Sequence, residues 1–330
     1  MVDVFVSGNY AYLAVSGLGI QILDISDPTN PQEKGSWLSA RVVETSSIYF
    51  ANNKIYLGVS SPSALLIFDG SNPNSIGAPL IEIGQHSTLY DIKVIGDYIF
   101  IADHSGSFMI ANHTQNLYNK DDYWVANNYW CLGVVVDGNY AYTATSSKGL
   151  VVWDITDKSH PSIVAEKPIS GANSYTIALY GSNKIVVGGY AGWFGIFDIS
   201  TKTNPILLGN IDITSDPGKG RGVEVSGDYA IVADYTDGIV TLGLSSGTPT
   251  QNTILPNEAG STSADRGYAI AIDGDLIYGA MGFSGLKIWN LTQAIIGGGG
   301  GLQIPGYTLI STIFIILGTI ALVNSKKFRK

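Results

Sequence analysis

Asp103, His104 and Ser105 set the residue types of an orienting acid, a base and a nucleophile side by side. Adjacent residues of an extended chain point to opposite sides, so three in a row cannot form a proton relay, and the tripeptide reads as a turn. The four histidines, His86, His104, His113 and His160, share no ligand spacing, and no zinc cluster is expected. Asp234 and Asp237, within Asp234-Tyr235-Thr236-Asp237-Gly238, keep two of the acids a calcium loop needs and are weak calcium candidates. The run DPGKGRG at 216–222 lacks the spacing of a phosphate-binding loop. Cys131 is the single cysteine, so no internal disulfide can form, and its neighbours Trp130 and Leu132 point to a buried, inert thiol. These residues supply no catalytic set, and no cofactor is expected.

The elements that would position such residues are short strands. In 330 residues there are 40 Gly and 19 Tyr but only 14% charged residues, a composition that favours tight turns over salt-bridged helices. The formal charge of -9 understates the acidity, because Lys326, Lys327, Arg329 and Lys330 crowd the end. Without those four, the 18 basic residues become 14 against 27 acidic ones, or -13. Such a body repels phosphate backbones, so nucleic acid is excluded as a partner.

The segment VFVSGNYAYLAVSGLGIQILDISDPTNP at 4–31 returns as VVVDGNYAYTATSSKGLVVWDITDKSHP at 134–161, with weaker copies elsewhere, seven in all. Gly8, Asn52, Gly96, Gly138, Gly181, Gly227 and Gly274 mark one turn per copy, 42 to 47 residues apart. Each copy alternates apolar and polar residues, turns, alternates again, and makes a third apolar run into an Asp-Ile-Ser/Thr segment. A fourth strand follows a proline, as after Pro31 and Pro205. The period and pattern predict an all-β, seven-bladed β-propeller of four-stranded blades. The recurrent Asp24, Asp27, Asp154, Asp157 and Asp198 read as carboxylates capping turn N–H groups. Copies two, three and six are expected to depart from this pattern, with Ala111 and Gly243 at the Asp154-type position.

The motifs GIQILDIS, GLVVWDIT, FGIFDIS and GLKIWNLT resemble the LVIVD repeat family, over roughly residues 1–292. That resemblance implies a propeller on a bacterial or archaeal surface protein, and no defined reaction.

In a propeller the loops before the innermost strand, and between the second and third strands, open on one face of the central channel. Register places Glu44, Tyr90, Trp130, Tyr175, Lys219, Arg221, Arg266 and Tyr268 in the first set. Asp103, His104, Tyr190, Trp193, Asp234, Tyr235, Asp237 and Phe283 fall in the second. Tyr90, Tyr175, Tyr190, Trp193, Arg221, Asp234, Arg266 and Tyr268 are the ligand-binding candidates, since rings beside polar groups suit sugar faces or extended peptides. The sequence thus points to a non-enzymatic binding or adhesion module for extracellular protein or glycan. An extracytoplasmic hydrolase or lyase with acids at the mouth, and a structural lattice component of the envelope, stand as alternatives.

The chain divides into a propeller at 1–296, a Gly-rich linker at 297–303, a transmembrane helix at 304–323 and a basic cytoplasmic tail at 324–330. Ile304 to Val323 is an uncharged run of 20 residues, long enough to span a membrane, and the basic tail places the propeller outside the cell. Pro305-Gly306-Tyr307 before the helix resembles archaeal sorting signals of the Pro-Gly-Phe type, which implies that the helix is exchanged for a lipid anchor. The last copy runs out soon after Thr292, so its outer strand is expected to be short or absent. With Met1 already inside the first strand, a signal peptide and a closing strand are expected upstream. Asn112 and Asn290 begin Asn-x-Thr sequons and are glycosylation candidates.

Overall fold

The computed structural model describes residues 1–38, 44–84, 87–104, 107–112, 130–169, 174–189, 192–213, 220–235, 238–255, 266–296 and 304–307. Seven antiparallel sheets follow one another along the chain. Blade one is β1 (Asp3–Ser7), β2 (Tyr10–Val15), β3 (Gly19–Asp24) and β4 (Gln32–Leu38). Blade two is β5 (Glu44–Ala51), β6 (Lys54–Ser61), β7 (Ser63–Asp69) and β8 (Ile81–Gly84). Blade three shows β9 (Leu89–Ile95), β10 (Tyr98–Asp103) and β11 (Ser107–Asn112) among the described residues. Blade four is β12 (Cys131–Asp137), β13 (Tyr140–Thr145), β14 (Gly149–Asp154) and β15 (Ser162–Lys167). Blade five is β16 (Ser174–Tyr180), β17 (Lys184–Gly189), β18 (Trp193–Asp198) and β19 (Ile206–Asp212). Blade six is β20 (Gly220–Ser226), β21 (Tyr229–Asp234), β22 (Gly238–Gly243) and β23 (Thr250–Leu255). Blade seven is β24 (Ala269–Asp273), β25 (Leu276–Ala280), β26 (Leu286–Asn290) and β27 (Ile304–Tyr307), with the short helix α1 (Leu291–Ile296) between the last two.

The first strand of each blade packs beside the first strand of the next, and β24 returns to β1, so the ring closes. The second and third strands are buried on both faces because a neighbouring blade covers each side, which is why they read as nearly continuous apolar runs such as ALLIF at 64–68. Each of the seven blade interfaces holds its own apolar cluster. The closing one sets Leu13 and Leu23 of blade one against Tyr278, Leu286 and Ile288 of blade seven. The expected missing closing strand is therefore not needed to complete the ring.

The outer strand of blade seven is present and, as expected, short. Residues Ile304–Tyr307 form β27 and pair with β26, Leu286 opposite Tyr307 and Ile288 opposite Ile304. Pro305 can sit there because an outermost strand can leave a position without a ladder donor. The first four residues of the expected transmembrane helix are thus strand, and the rest of that helix, the linker and the basic tail lie outside the described residues. Among the described residues no helix is long and apolar enough to cross a membrane.

Candidate functional site at the channel mouth

The innermost strands surround a channel whose mouth holds a cavity of about 360 Å³. Their first residues line it, because all seven run in the same sense from this face to the turn at the other. In blades two to six the pairing of first and second strands shifts by one residue near the mouth, at Thr45/Ser47, Leu89/Asp91, Cys131/Gly133, Ser174/Thr176 and Gly220/Gly222. Each bulge re-aims the side chains beyond it. Hydroxyl groups of Thr45, Ser46, Ser60, Thr88 and Thr176 belong to residues of this lining.

Five residues before the turn, the chain carries Asp3, Ser47, Asp91, Gly133, Thr176, Gly222 and Ala269 in successive blades. In the first three blades this residue ties the blade to the next. Asp3 accepts from its own strand at Val4 N (2.8 Å) and from Ile48 N in blade two (2.7 Å). Ser47 Oγ donates to Leu89 O in blade three at 2.9 Å, and Asp91 Oδ2 accepts from Val134 N in blade four at 3.0 Å. Sequence reasoning missed these residues. The available signal was that no copy places a large side chain there.

Two residues on, Lys93 and Glu224 enter the same channel from blades three and six. Lys93 Nζ lies 3.2 Å from Asp91 Oδ1 and 5.7 Å from the centre of the Tyr49 ring. Burial raises the Asp3 carboxyl to about 7 despite its two backbone donors, since its remaining accessible surface opens on the channel and not on bulk water. Burial also raises Glu224, with Lys93 partly opposing. For Lys93 burial acts downward, but Asp91 and Glu224 outweigh it and hold the ammonium above its usual range.

Above these charges stands an aromatic and cationic rim. Tyr235 and Tyr268 meet edge to face with ring centres 5.6 Å apart. The Arg221 guanidinium lies 4.8 Å from the Tyr235 ring and 5.2 Å from the Tyr268 ring, and Arg266 lies 4.4 Å from Tyr235 while donating to its hydroxyl. Burial raises the Tyr268 hydroxyl, Tyr235 adds to it, and Arg221 opposes. Across the mouth, His104 stacks on half-exposed Trp130 at 4.5 Å and lies 5.5 Å from Tyr90. Burial raises Tyr90 as well, with Arg221 opposing.

Of the residues expected at the mouth, Tyr90, Tyr175, Arg221 and Tyr268 line the one cavity, and Arg266 adjoins them through Tyr235. Trp193 and Asp234 are not among them. Trp193 lines a separate groove of about 730 Å³ between blades four and five, with Ile169, Phe197 and Leu207, because the first residue of β18 turns its ring outward along the blade. Asp234 is fully buried at the end of β21, beneath Gly267, whose N–H donates to its backbone oxygen at 3.2 Å, so it is not open to a ligand. Tyr190 and Asp237 lie outside the described residues, and with Asp237 goes half of the calcium pair. Among the described residues no group of three or more His, Cys, Asp and Glu could hold a metal ion. His104 sits in a turn, as its neighbours implied.

The turn aspartates cap as their spacing implied. Asp24, Asp154 and Asp198 each accept from the backbone N–H two residues on, at 2.9, 2.8 and 2.7 Å, and Asp27 and Asp157 do so at 3.0 and 2.9 Å. Asp69 does the same for Ser71, so the second copy keeps this residue. Register gives the matching place in blade three to Asn112, opposite Tyr98, and not to Ala111. In blade seven it belongs to Asn290, opposite Leu276. Both sequons thus arise where an amide replaces the Asp of an Asp-x-Ser/Thr turn. Asn112 is 3% exposed, so its amide is closed to a glycan in the folded chain.

The LVIVD repeat model matches residues 2–39, 89–111, 122–166, 185–213 and 217–245. No curated protein matches the sequence. Among solved structures the chain is similar to the computationally designed Ika8 protein, with TM-score 0.61, 13% identity and coverage of 92% of this chain and 85% of that one. It is similar to a chain of the Mitotic Checkpoint Complex, with TM-score 0.68, 14% identity and coverage of 88% and 86%. A third is the Myceliophteria thermophila Cps50 (Swd1) beta-propeller domain, with TM-score 0.66, 11% identity and coverage of 88% and 99%. At these identities the likeness concerns the fold alone.

Proposed function

We propose, from the premise that this chain is a seven-bladed propeller of LVIVD repeats, that it is a membrane-tethered extracellular module binding protein or glycan at its channel mouth without turning it over. A propeller of such repeats is commonly a binding or interaction module. The observation that carries the reading is the convergence of Tyr90, Tyr175 and Tyr268 with Arg221 on one hydroxyl-lined cavity. Rings that cover apolar area beside groups that fix orientation are what a selective binding site needs.

The tether rests on the apolar run that continues from Tyr307 to Val323 and on the basic residues after it. The Pro305-Gly306-Tyr307 resemblance adds processing to a lipid anchor as the route of attachment. Intact-mass measurement on protein from native membranes separates a retained helix from a processed end.

The binding reading is tested with the full chain held in detergent micelles and exposed to fractionated cell-envelope material. Retention of protein or glycan, weakened by Tyr90→Ala and Tyr268→Ala, is the expected result. Failure to retain anything, together with turnover of a small substrate, would overturn it.

A further inference from the structure

We infer that Arg221 and Arg266 form an anion-reading pair that takes the carboxylate of a uronic acid residue in a glycan, an inference that rests on the binding reading above. In a body of -13 charge some cations find an acid and others, such as Lys54 and Lys184, do not. Those that do are Lys34, Lys93, Lys148 and Lys202, with Asp24, Asp91, Glu166 and Asp137 at 3.0–3.2 Å. Arg221 and Arg266 do not. Among the described residues neither forms an ion pair, and the buried Nε of Arg221 has no hydrogen-bond partner.

Both guanidiniums instead lie over the Tyr235 ring, and Arg266 Nη1 also donates to its hydroxyl. The N–H groups not engaged by Tyr235 and Tyr268 remain for a ligand, and the planar guanidinium fork fits a carboxylate in a bidentate way. Two cations over one ring repel each other, and an anion that meets them relieves the repulsion.

The groups deeper in the channel set how far an anion can go. Asp3, Asp91 and Glu224 face a single Lys93, so negative charge is turned back below the rim. A ligand with one carboxylate at the arginines must therefore present neutral groups to Thr45, Thr88 and Thr176. A sugar acid has that division, with one charged carbon and hydroxyls around the ring, and a cavity of about 360 Å³ admits one ring with part of a neighbour. Tyr268 and Tyr175 supply faces on which C–H groups of a sugar can rest. An acidic peptide meets the arginines equally well, but finds no apolar pocket for its other side chains.

The test uses the full chain in detergent micelles, titrated calorimetrically with trigalacturonic acid, with the neutral galactose trisaccharide and with a triglutamate peptide. The acid sugar is expected to bind at least about tenfold more tightly than the neutral one, and the preference to shrink between roughly 50 and 500 mM salt. Arg221→Gln and Arg266→Gln are each expected to collapse that acid-to-neutral ratio. Arg221→Lys and Arg266→Lys, which keep the charge and lose the fork, should retain part of it, with thermal midpoints confirming that all four variants fold. Equal binding of both sugars, an unchanged ratio in the Gln variants, or tighter binding of triglutamate would overturn the inference. If neither sugar binds while envelope material is still retained at the mouth, the inference falls and the binding reading stands.

Discussion

Asp3 Oδ2 accepts a 2.7 Å hydrogen bond from the backbone N–H of Ile48, and so stitches the innermost strand of blade one to that of blade two. Its counterpart Asp91 does the same for Val134 of blade four. The Asp3 bonds lie in the channel, where burial works against the charge that makes them strong.

The stitch gives stability an unusual dependence on pH. Folding raises the Asp3 carboxyl from 3.8 to about 7, so the folded chain holds that proton more tightly than the unfolded one. This group's contribution is then fully present below about 4 and is lost as pH rises through about 7, with Glu224 acting in the same direction. The turn aspartates act oppositely. Asp24 is lowered to about 2, and Asp69, Asp154, Asp157 and Asp198 are lowered as well, so their contribution is present above about 4 and lost on acidification. Thermal midpoints against pH should peak in the mildly acidic range. Asp3→Asn leaves either Val4 N or Ile48 N without an acceptor, costing about 1–3 kcal/mol near pH 5, and the cost should narrow toward pH 8 as a buried charge is also removed. A gap that stays constant across pH would contradict the assignment.

Trp153 Nε1 donates to Thr143 Oγ1 at 2.9 Å inside blade four, with both residues buried. Thr143→Val keeps the shape and removes the acceptor, which strands an indole N–H in the core. Urea unfolding should show a loss of about 1–3 kcal/mol. A change under about 0.5 kcal/mol, the usual surface range, would mean the indole finds another partner.

Gly19 and Gly149 begin the third strands of blades one and four at φ of +124° and +70°, and a Cβ there would stand 2.3 Å from Trp37 O and 2.4 Å from Lys167 O. Both backbone conformation and space forbid a side chain. Gly149→Ala is expected to cost roughly 2–3 kcal/mol by chemical denaturation. Gly84→Ala is the control, since nothing lies within 4 Å of its Cβ position, and it should be neutral or slightly stabilising.

Cys131 is 1% exposed, and burial pushes its thiol well above the usual range. An aromatic disulfide reagent should label it only on global unfolding, so the labelling rate in native buffer should follow the denaturant dependence of unfolding. Fast labelling without denaturant would show that the blade opens locally.

The repeat was legible because one turn residue per copy, from Gly8 to Gly274, sets a period that strand alternation then fills. Most of the rim was legible for the same reason. Trp193 and Asp234 were misplaced because a count along the chain cannot tell on which side a hairpin end presents its side chain. The one-residue bulges at Ser174/Thr176 and Gly220/Gly222 further break the alternation on which such a count depends. Asp3 and Asp91 escaped notice because their role is shared with Ser47, a residue of different chemistry, and no motif joins the three. The outer strand of blade seven was hidden by distance, since Ile304 follows Asn290 by 14 positions and opens an apolar run that reads as membrane.

That last strand changes how the molecule would respond to force. A pull on the chain beyond Tyr307 reaches β27 first, and β27 is held to blade seven along β26, with Leu286 opposite Tyr307 and Ile288 opposite Ile304. The ring behind it is sealed separately, by Leu13 and Leu23 against Tyr278 and Leu286. Under tension the four residues would peel away as a breakaway link, lengthening the chain by their own span while the seven-bladed body stays shut. A single-molecule trace drawn from the C-terminus should therefore show one small early extension well before the propeller gives way.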